Sequence, residues 1–210
     1  MFLVMQKAMQ LIFATANSNK LREAAEILGK QFALIMPKEL GYTDDIPETG
    51  LTIEANSREK AQLIWNKFHK TCFADDTGLE VKALNGAPGV YSARYAGEGK
   101  DSKANIAKLL EELKRVAESG KAKKFKDRSA RFRTVVTLIY KGTIFSFEGI
   151  LNGTIAETPS GEGGFGYDSV FIPEGCSCTL AEFTEDQKNN ISHRGLAMRK
   201  LANFADRMQD

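Results

Sequence analysis

The alternation of strand-like and helix-like segments constrains the fold of this chain more than any other feature. Residues 11–14 form a short apolar run that leads into polar residues. A helical pattern follows, with apolar residues at helical spacing: Leu21, Ala24, Ala25 and Leu28. A strand followed directly by a helix is a building unit of α/β proteins.

Three further helices are predicted from capping residues and apolar spacing. Thr52 can cap a helix that runs to about Lys70, with an apolar stripe of Ala61, Ile64, Trp65 and Phe68. Asp101 or Ser102 can cap another, with a stripe of Ile106, Leu109, Leu110 and Leu113. The last helix runs from about His193 to Arg207 and would bury Ala197, Leu201, Phe204 and Met208.

A β-hairpin is predicted in the second half of the chain. Residues 134–140 and 143–150 are rich in β-branched and aromatic residues, and Lys141 and Gly142 join them. Strands and helices in this order predict an α/β protein with a long mixed sheet. With 210 residues, 42% of them apolar, and no evident linker, the chain is expected to form a single domain over residues 1–210.

Composition and charge exclude several classes of protein. A net charge of +2 is too small to indicate a nucleic-acid or membrane partner. The basic residues between Lys121 and Arg133 are interpreted as a solvated connection, with a polyanion or subunit contact as the alternative. Lys7 and Gln10 interrupt the apolar amino terminus, so neither a signal peptide nor a membrane span is expected.

The cysteines indicate a reducing compartment. Cys72, Cys176 and Cys178 form an odd set, and the last two are too close for an ordinary structural disulfide. A cytoplasmic location is therefore expected. Because the chain has only two histidines, a zinc site is also not expected.

Residues 73–79 have the wrong chemistry for a core. A short apolar run leads into Asp75, Asp76, Thr77 and Gly78, which places two adjacent carboxylates at the predicted end of a strand. Burying ionised carboxylates is costly unless a cation faces them. A turn between strands would explain one Asp here but not readily two. The pair therefore predicts a metal ion, a basic group or both.

The loop at residues 15–20 follows the first strand and begins the first helix. Free N–H groups at a helix start, together with Lys20, suit a phosphate group. The loop lacks the glycines of a Walker A sequence, so an ordinary capped helix start is the alternative.

Residues 160–168 place four glycines around two aromatic residues and end in Asp168. Glycines let a backbone approach a ligand closely, and the aromatic faces of Phe165 and Tyr167 offer a stacking surface for a base. A flexible surface turn is the alternative, although flexible linkers favour Ser over aromatic residues.

These motifs together resemble the inosine triphosphate pyrophosphatase family, whose members hydrolyse non-canonical purine nucleoside triphosphates to the monophosphate and pyrophosphate. The matching segments are residues 15–20, 75–78, 86–94, 163–168 and 192–195, in the family's order. One departure is Ala16, where bacterial relatives commonly have Gly. If that position needs a positive φ, the loop would be strained.

The resemblance implies an elongated mixed β-sheet flanked by helices, in two lobes with the active site in the cleft between them. It implies an Mg²⁺-dependent enzyme in which Glu48 and Asp76 hold the metal ion and Asp76 is the general base. Asp75 and Glu54 are alternatives to Glu48. A homodimer is also implied.

The resemblance further implies which residues bind the substrate. Lys20 and Lys188 would neutralise phosphates, and Phe165 would stack on the base. His193 and Arg194 would donate to the 6-oxo group, which favours hypoxanthine and xanthine over adenine because a 6-amino group leaves buried donors unpaired. The sequence does not indicate how guanine is excluded. The full set is Thr15, Ala16, Asn17, Ser18, Asn19, Lys20, Thr77, Phe165, Gly166, Tyr167, Asp168, Lys188, His193 and Arg194.

The predicted activity is the hydrolysis of ITP, dITP and XTP to the monophosphate and pyrophosphate, which removes deaminated purines from the nucleotide pool. One alternative is a related pyrophosphatase that acts on modified pyrimidine or methylated nucleotides. Another is a non-catalytic nucleotide or RNA binder, which would use the basic stretch and the aromatic residues and would not need Asp76.

Overall fold

The structure of the chain is a computed structural model that describes residues 8–118 and 127–207. These residues form strands and helices in mixed order. The strands are β1 (Met9–Phe13), β2 (Phe32–Ile35), β3 (Cys72–Val81), β4 (Pro88–Gly89), β5 (Ser129–Tyr140), β6 (Thr143–Ile155) and β7 (Phe171–Pro173). The helices are α1 (Ser18–Leu28), α2 (Ile53–Phe68), α3 (Ser102–Glu118), α4 (Glu185–Ile191) and α5 (His193–Asp206).

The seven strands form one mixed sheet, in the order β2-β1-β3-β5-β6-β7, and β4 pairs with β3. Strand β1 is parallel to β2 and to β3, whereas β4 is antiparallel to β3 and β7 is antiparallel to β6. The predicted α/β fold with a mixed sheet is therefore confirmed. The cleft between two lobes stays a prediction.

The predicted hairpin is present, and its strands are longer than expected. Lys141 and Gly142 both have positive φ, 48° and 82°, as a two-residue type I′ turn requires. The strands on either side, β5 and β6, are neighbours in the sheet.

Capping side chains fix the start of the long helices. The Thr52 hydroxyl accepts a hydrogen bond from the Ala55 amide at the start of α2, as predicted. Asp101, not Ser102, caps α3, because its carboxylate accepts from the amides of Lys103 and Ala104. The Asn17 side chain caps α1.

The chain divides into two compact units. The first unit consists of the described residues within 1–76, 135–148 and 195–210. The second consists of those within 77–134 and 149–194. Each unit has apolar core residues of its own. The expectation of a single domain over the whole chain stays a prediction.

The first unit has an apolar core on each face of its part of the sheet. On one face, strand residues pack with α1 and α5, and the buried members include Leu11, Phe13, Ala24, Leu28, Phe73, Val136, Ala197 and Leu201. On the other face, strand residues pack with α2, and the buried members are Ile12, Ala14, Ala61, Ile64, Cys72, Ala74 and Ile139. Consecutive strand residues thus alternate between the two cores.

The second unit has its core built around α3. Ile106, Leu109 and Leu113 of that helix are buried together with strand residues, among them Leu79, Val81, Phe132, Ile155 and Phe171. This core confirms three members of the predicted α3 stripe; the fourth, Leu110, is only partly buried.

Some sequence predictions are modified or lie outside the described residues. In α5, Ala197 and Leu201 are buried as expected, but Phe204 is only partly buried. Met208 and the lysines of the basic stretch from Lys121 to Lys126 lie outside the described residues. Among residues 8–118 and 127–207, no helix is long and apolar enough to cross a membrane.

Candidate functional site

The two adjacent carboxylates do not lie at the end of a strand, as the sequence suggested. Strand β3 continues through Asp75, Asp76, Thr77 and Gly78 to Val81. Residues on both sides of the motif are buried and belong to the same strand. The predicted strand end was therefore wrong, and the two acids are buried inside a strand.

Because side chains alternate along a strand, Asp75 and Asp76 leave β3 on opposite faces. Asp75 follows the parity of Phe73, which packs in the core formed with α1 and α5. Asp76 follows the parity of Cys72 and Ala74, which pack with α2. One strand therefore supplies one carboxylate to each face.

Asp75 pairs with the first helix. Its carboxylate is 3.0 Å from the Lys20 ammonium, and its side chain is fully buried. The predicted phosphate-binding Lys20 is thus held against an acid of the sheet. This pair also bears on the choice of metal ligand, because Asp75 faces Lys20 and not the side of β3 on which Glu48 lies.

Asp76 lies in a cluster of polar side chains on the α2 side, which we call the acid cluster: Glu48, Asn56, Lys60 and Asp76. The Asn56 amide donates to the Asp76 carboxylate at 3.2 Å. The Lys60 ammonium is 3.4 Å from the other Asp76 oxygen and also donates to the Glu48 carboxylate. Two carboxylates therefore share one buried cation.

The charges in the acid cluster shift the pKa values of its members. Burial raises the pKa of Asp76 above its ordinary value, although Lys60 and Lys20 oppose this shift. Burial by itself would lower the pKa of Lys60, but the charges of Asp76, Glu48 and Asp75 raise it above its ordinary value. Lys60 therefore stays protonated, and Asp76 holds a proton more readily than an exposed Asp.

The two carboxylates of the acid cluster are oxygen ligands of the kind that Mg²⁺ prefers. The Glu48 and Asp76 carboxylates converge on a single positive group, the Lys60 ammonium. In the part of the chain that the structure describes, no three His, Cys, Asp or Glu side chains come together around a point. Two carboxylates are too few to surround a metal ion with protein ligands alone. They suit Mg²⁺, which keeps several waters and is commonly shared with phosphate groups. Glu54, the other alternative ligand, is exposed on the first turn of α2.

The predicted phosphate loop leads into α1, and Asn17 caps this helix; phosphate binding by the loop stays a prediction. The Asn17 side chain accepts from the amides of Asn19 and Lys20, and the Asn17 amide donates to the Thr15 hydroxyl at 3.1 Å. Ala16 is not among the residues with positive φ, so the strain considered for an Ala at this position does not arise. The predicted residues Ser18 and Asn19 belong to the first turn of α1.

In the second unit, the glycine-rich segment presents Phe165 to two cations. The Lys188 ammonium is 4.8 Å from the ring centroid, and the Arg194 guanidinium carbon is 5.5 Å from it. Lys188 also forms a buried ion pair with Asp168, at 2.7 Å. We call Phe165, Asp168, Lys188 and Arg194 the cation–aromatic cluster.

Asp168 shapes the loop that carries Phe165. Its carboxylate accepts from the Phe165 amide at 2.8 Å. A Cβ atom at Gly164, where φ is +70°, would lie 2.1 Å from the same carboxylate. Only glycine fits there. The predicted residue Gly166 follows with φ of 65°.

The remaining predicted residues of the second unit contact other residues of the same unit. Arg194 is 3.4 Å from the Thr77 hydroxyl, which in turn lies 2.7 Å from the Thr134 hydroxyl. His193 is buried and stacks on Phe132, with ring centroids 4.5 Å apart. The Tyr167 hydroxyl donates to the Ser92 carbonyl, so this ring is part of the packing; its contact with a substrate stays a prediction.

Sequence reasoning missed Asn56 and Lys60. They lie one turn apart on α2, on the same buried face as Ile53, Ala61 and Ile64. Only the apolar end of this stripe was recognised in the sequence. Polar residues at core positions of a helix need buried partners, so the continuation of the helical spacing towards Thr52 was the signal that could have found them.

The fold and the two clusters define a class of protein: a mixed α/β protein with buried acids and a lysine in one unit and an aromatic ring beside two cations in the other. The cations and the ring of the cation–aromatic cluster suit a ligand that is both anionic and aromatic. Comparison with known proteins makes the class specific. The sequence model of the Ham1 family matches residues 11–204. The chain belongs to the Ham1 family.

Relatives and solved structures agree with this assignment. The chain is 48% identical over 195 residues to the dITP/XTP pyrophosphatase of Porphyromonas gingivalis, covering 93% of this chain and 96% of the relative. It is 43% identical over 199 residues to the dITP/XTP pyrophosphatase of Bacillus subtilis, covering 94% of this chain and 97% of the relative. The structure of the HAM1 protein of Coxiella burnetii matches with a TM-score of 0.84 at 36% identity, covering 95% of this chain and 99% of that one. The resemblance inferred from the sequence motifs is confirmed.

Proposed function

We propose that this protein hydrolyses non-canonical purine nucleoside triphosphates, with ITP, dITP and XTP as substrates, to the monophosphate and pyrophosphate. Its membership of the Ham1 family and the name dITP/XTP pyrophosphatase of its relatives support the reaction. The single observation that carries the proposal is the acid cluster, in which the buried Asp76 faces Lys60 and shares it with Glu48.

Asp76 is proposed as the general base. A water that attacks phosphorus must lose a proton, and a buried carboxylate with a raised pKa is a better proton acceptor than an exposed one. Asn56 and Lys60 hold the carboxylate from two sides, which fixes the direction from which it can take the proton. The catalytic role thus rests on the geometry around this one side chain.

Glu48 and Asp76 are proposed as the ligands of Mg²⁺. When bound, the ion would lower the pKa of a coordinated water and screen the charge of the triphosphate. The Glu48 side chain is 26% exposed, whereas Asp76 is 10% exposed, so the site can be reached from solvent through Glu48. Lys60 bridges both acids, so part of its contact with Glu48 and Asp76 would have to be lost when a metal ion or a phosphate binds.

The phosphates and the base are proposed to be bound by different side chains. Lys20 and Lys188 neutralise phosphates, aided by hydroxyl and amide groups of Thr15, Asn17 and Thr77. Phe165 stacks on the purine. Arg194 and His193 donate to its 6-oxo group, and because both are buried, an adenine 6-amino group would leave them unpaired.

The oligomeric state is proposed from the family resemblance, and the compartment from the three cysteines. We propose a homodimer in the cytoplasm, with no nucleic-acid partner. Light scattering on the purified protein tests whether it is a homodimer. A molecular mass near the 23.2 kDa of one chain would contradict it.

A panel of nucleoside triphosphates with Mg²⁺, scored separately for pyrophosphate and orthophosphate, tests the proposed reaction. We expect pyrophosphate from ITP, dITP and XTP, and much slower release from ATP and GTP. Orthophosphate as the first product would place cleavage at another phosphorus and contradict the proposal. Faster turnover of modified pyrimidine or methylated nucleotides would favour the related pyrophosphatase. Binding without any turnover would favour a non-catalytic binder.

A further inference from the structure

The segment that carries Glu48 is held by one helix. Three consecutive residues, Glu48, Thr49 and Gly50, each contact a different side chain of α2. Lys60 donates to Glu48, and Glu59 accepts from both the amide and the hydroxyl of Thr49, at 2.8 and 2.7 Å. Asn56 accepts from the Gly50 amide at 2.7 Å.

Asn56 differs from Glu59 because it contacts Asp76 as well. Its Oδ1 accepts from the Gly50 amide, and its Nδ2 donates to Asp76 Oδ2 at 3.2 Å. The side chain is buried, with 1% of its surface exposed. One amide group therefore joins the backbone of the Glu48 segment to the carboxylate of the proposed base.

The chemistry of these two partners explains why the residue is Asn. A backbone N–H needs an acceptor and an ionised carboxylate needs a donor, and a side-chain amide supplies one of each. Asp at this position would keep the acceptor and lose the donor. An aliphatic residue would lose both.

The segment also approaches α2 too closely for a side chain at Gly50. A Cβ atom there would lie 2.6 Å from the Ala55 Cβ and 2.9 Å from Asn56 Oδ1. Contacts this short do not occur between real atoms without movement of one partner. The position of the Gly50 backbone is therefore defined by the start of α2.

We propose that Asn56 is a positioning residue for the reaction: its amide orients Asp76 and ties the segment that carries Glu48 to it. This inference rests on the proposed function, because it assigns Asp76 and Glu48 their roles. Lys60 supplies the charge between the two acids, whereas Asn56 supplies direction without charge. Loss of Asn56 therefore keeps both acids and the lysine in the protein but removes the hydrogen bonds that align the acids.

Two substitutions separate the two hydrogen bonds. Asn56→Ala removes both, so we expect kcat for ITP to fall about 100-fold, as for a catalytic group misplaced by about 1 Å, while KM changes less than about threefold. Hydrogen exchange at the Gly50 amide should become about tenfold faster. Asn56→Asp keeps the acceptor, so we expect a similar loss of kcat with Gly50 exchange near that of the unaltered protein.

Asn66 provides the matched control on the same helix. It is exposed and accepts a hydrogen bond only from Gln62 among the contacts described for it. Asn66→Ala and Asn66→Asp repeat both chemical changes away from the acid cluster. We expect neither to alter kcat or Gly50 exchange.

The inference is overturned if Asn56→Ala keeps kcat within threefold of the unaltered protein, or if its Gly50 exchange is unchanged. If Asn56→Ala does not fold, Asn56→Asp decides the matter. A loss of kcat with unchanged Gly50 exchange would support the inference, and an equal loss of both would overturn it. Failure of the proposed function is distinguishable, because the unaltered protein would then release no pyrophosphate, whereas the exchange measurement would still show whether Asn56 holds the segment.

Discussion

The acid cluster and the cation–aromatic cluster are opposite in charge. In the first, the carboxylates of Glu48 and Asp76 face one ammonium, that of Lys60. In the second, the Asp168 carboxylate faces Lys188, and Arg194 adds a second cation beside the Phe165 ring. The named side chains of the first cluster thus carry excess negative charge, and those of the second carry excess positive charge.

This difference teaches which task each cluster can perform. Excess negative charge attracts a metal ion and accepts a proton, but it repels a phosphate that arrives without a metal. Excess positive charge with an aromatic face attracts anions and electron-rich rings, but it cannot act as a base. The proposed function therefore gives chemistry and recognition to separate sets of residues, and substitutions in each set should have different signatures.

The largest effect is expected for Asp76→Asn. The amide keeps the shape of the side chain but cannot take a proton, so turnover of ITP should fall about 1,000-fold. Binding of a non-hydrolysable ITP analogue should remain. Steady-state kinetics and calorimetry measure the two quantities. Asp44→Asn changes an exposed carboxylate of the same unit and serves as the control. Near-normal turnover by the Asp76 variant would remove Asp76 from the proposed role.

The next effect is on stability and belongs to the other cluster. Asp168→Asn leaves the Lys188 ammonium, whose side chain is 8% exposed, without its charged partner. The free energy of unfolding, measured with urea, should fall by about 3–5 kcal/mol. Glu80→Gln is the control, since it breaks a more exposed pair with Arg131 in the same unit and should cost about 0–1 kcal/mol. Equal losses would show that the Asp168 pair is not buried in solution.

A smaller effect on selectivity is expected for Arg194→Ala. Loss of one donor to the 6-oxo group should lower the ratio of kcat/KM for ITP over ATP about tenfold. Lys200→Ala, an exposed cation on the same helix, should leave the ratio unchanged. If the Arg194 variant keeps the ratio, the selectivity must come from other groups, and recognition of the base cannot be assigned to the cation–aromatic cluster.

The smallest effect compares one helix cap from each unit. Asn17→Ala and Asp101→Ala each remove a side chain that accepts from amides at a helix start, so each should cost about 1 kcal/mol of stability. Only Asn17 is also proposed to bind phosphate. A raised KM for ITP in the Asn17 variant alone would support that role, whereas an equal KM in both variants would limit Asn17 to capping.

The parts of the fold that local chemistry determines could be predicted from the sequence. Thr52 begins α2 because its hydroxyl caps the first turn, and Lys141-Gly142 forms the hairpin because both residues adopt positive φ. These features depend on a few neighbouring residues. The sequence pattern was therefore sufficient for them.

Features that depend on distant partners could not be predicted in this way. Strand β3 passes through Asp75 and Asp76 because Lys20 and Lys60, which come from two different helices, balance the buried charges. Without those partners, a strand end was the better interpretation of the motif. The helical spacing could have placed Asn56 on the buried face of α2, but not its two hydrogen bonds, which reach residues 6 and 20 positions away.

The placement of adjacent acids on opposite faces of β3 makes this strand sensitive to length. Deletion of one residue before Asp75 would shift the register of the strand by one place and turn every later side chain to the other side. Asp76 would then point towards α1 and away from Lys60. We therefore expect natural variants of this chain to gain or lose residues in the loops around β3 and not within it.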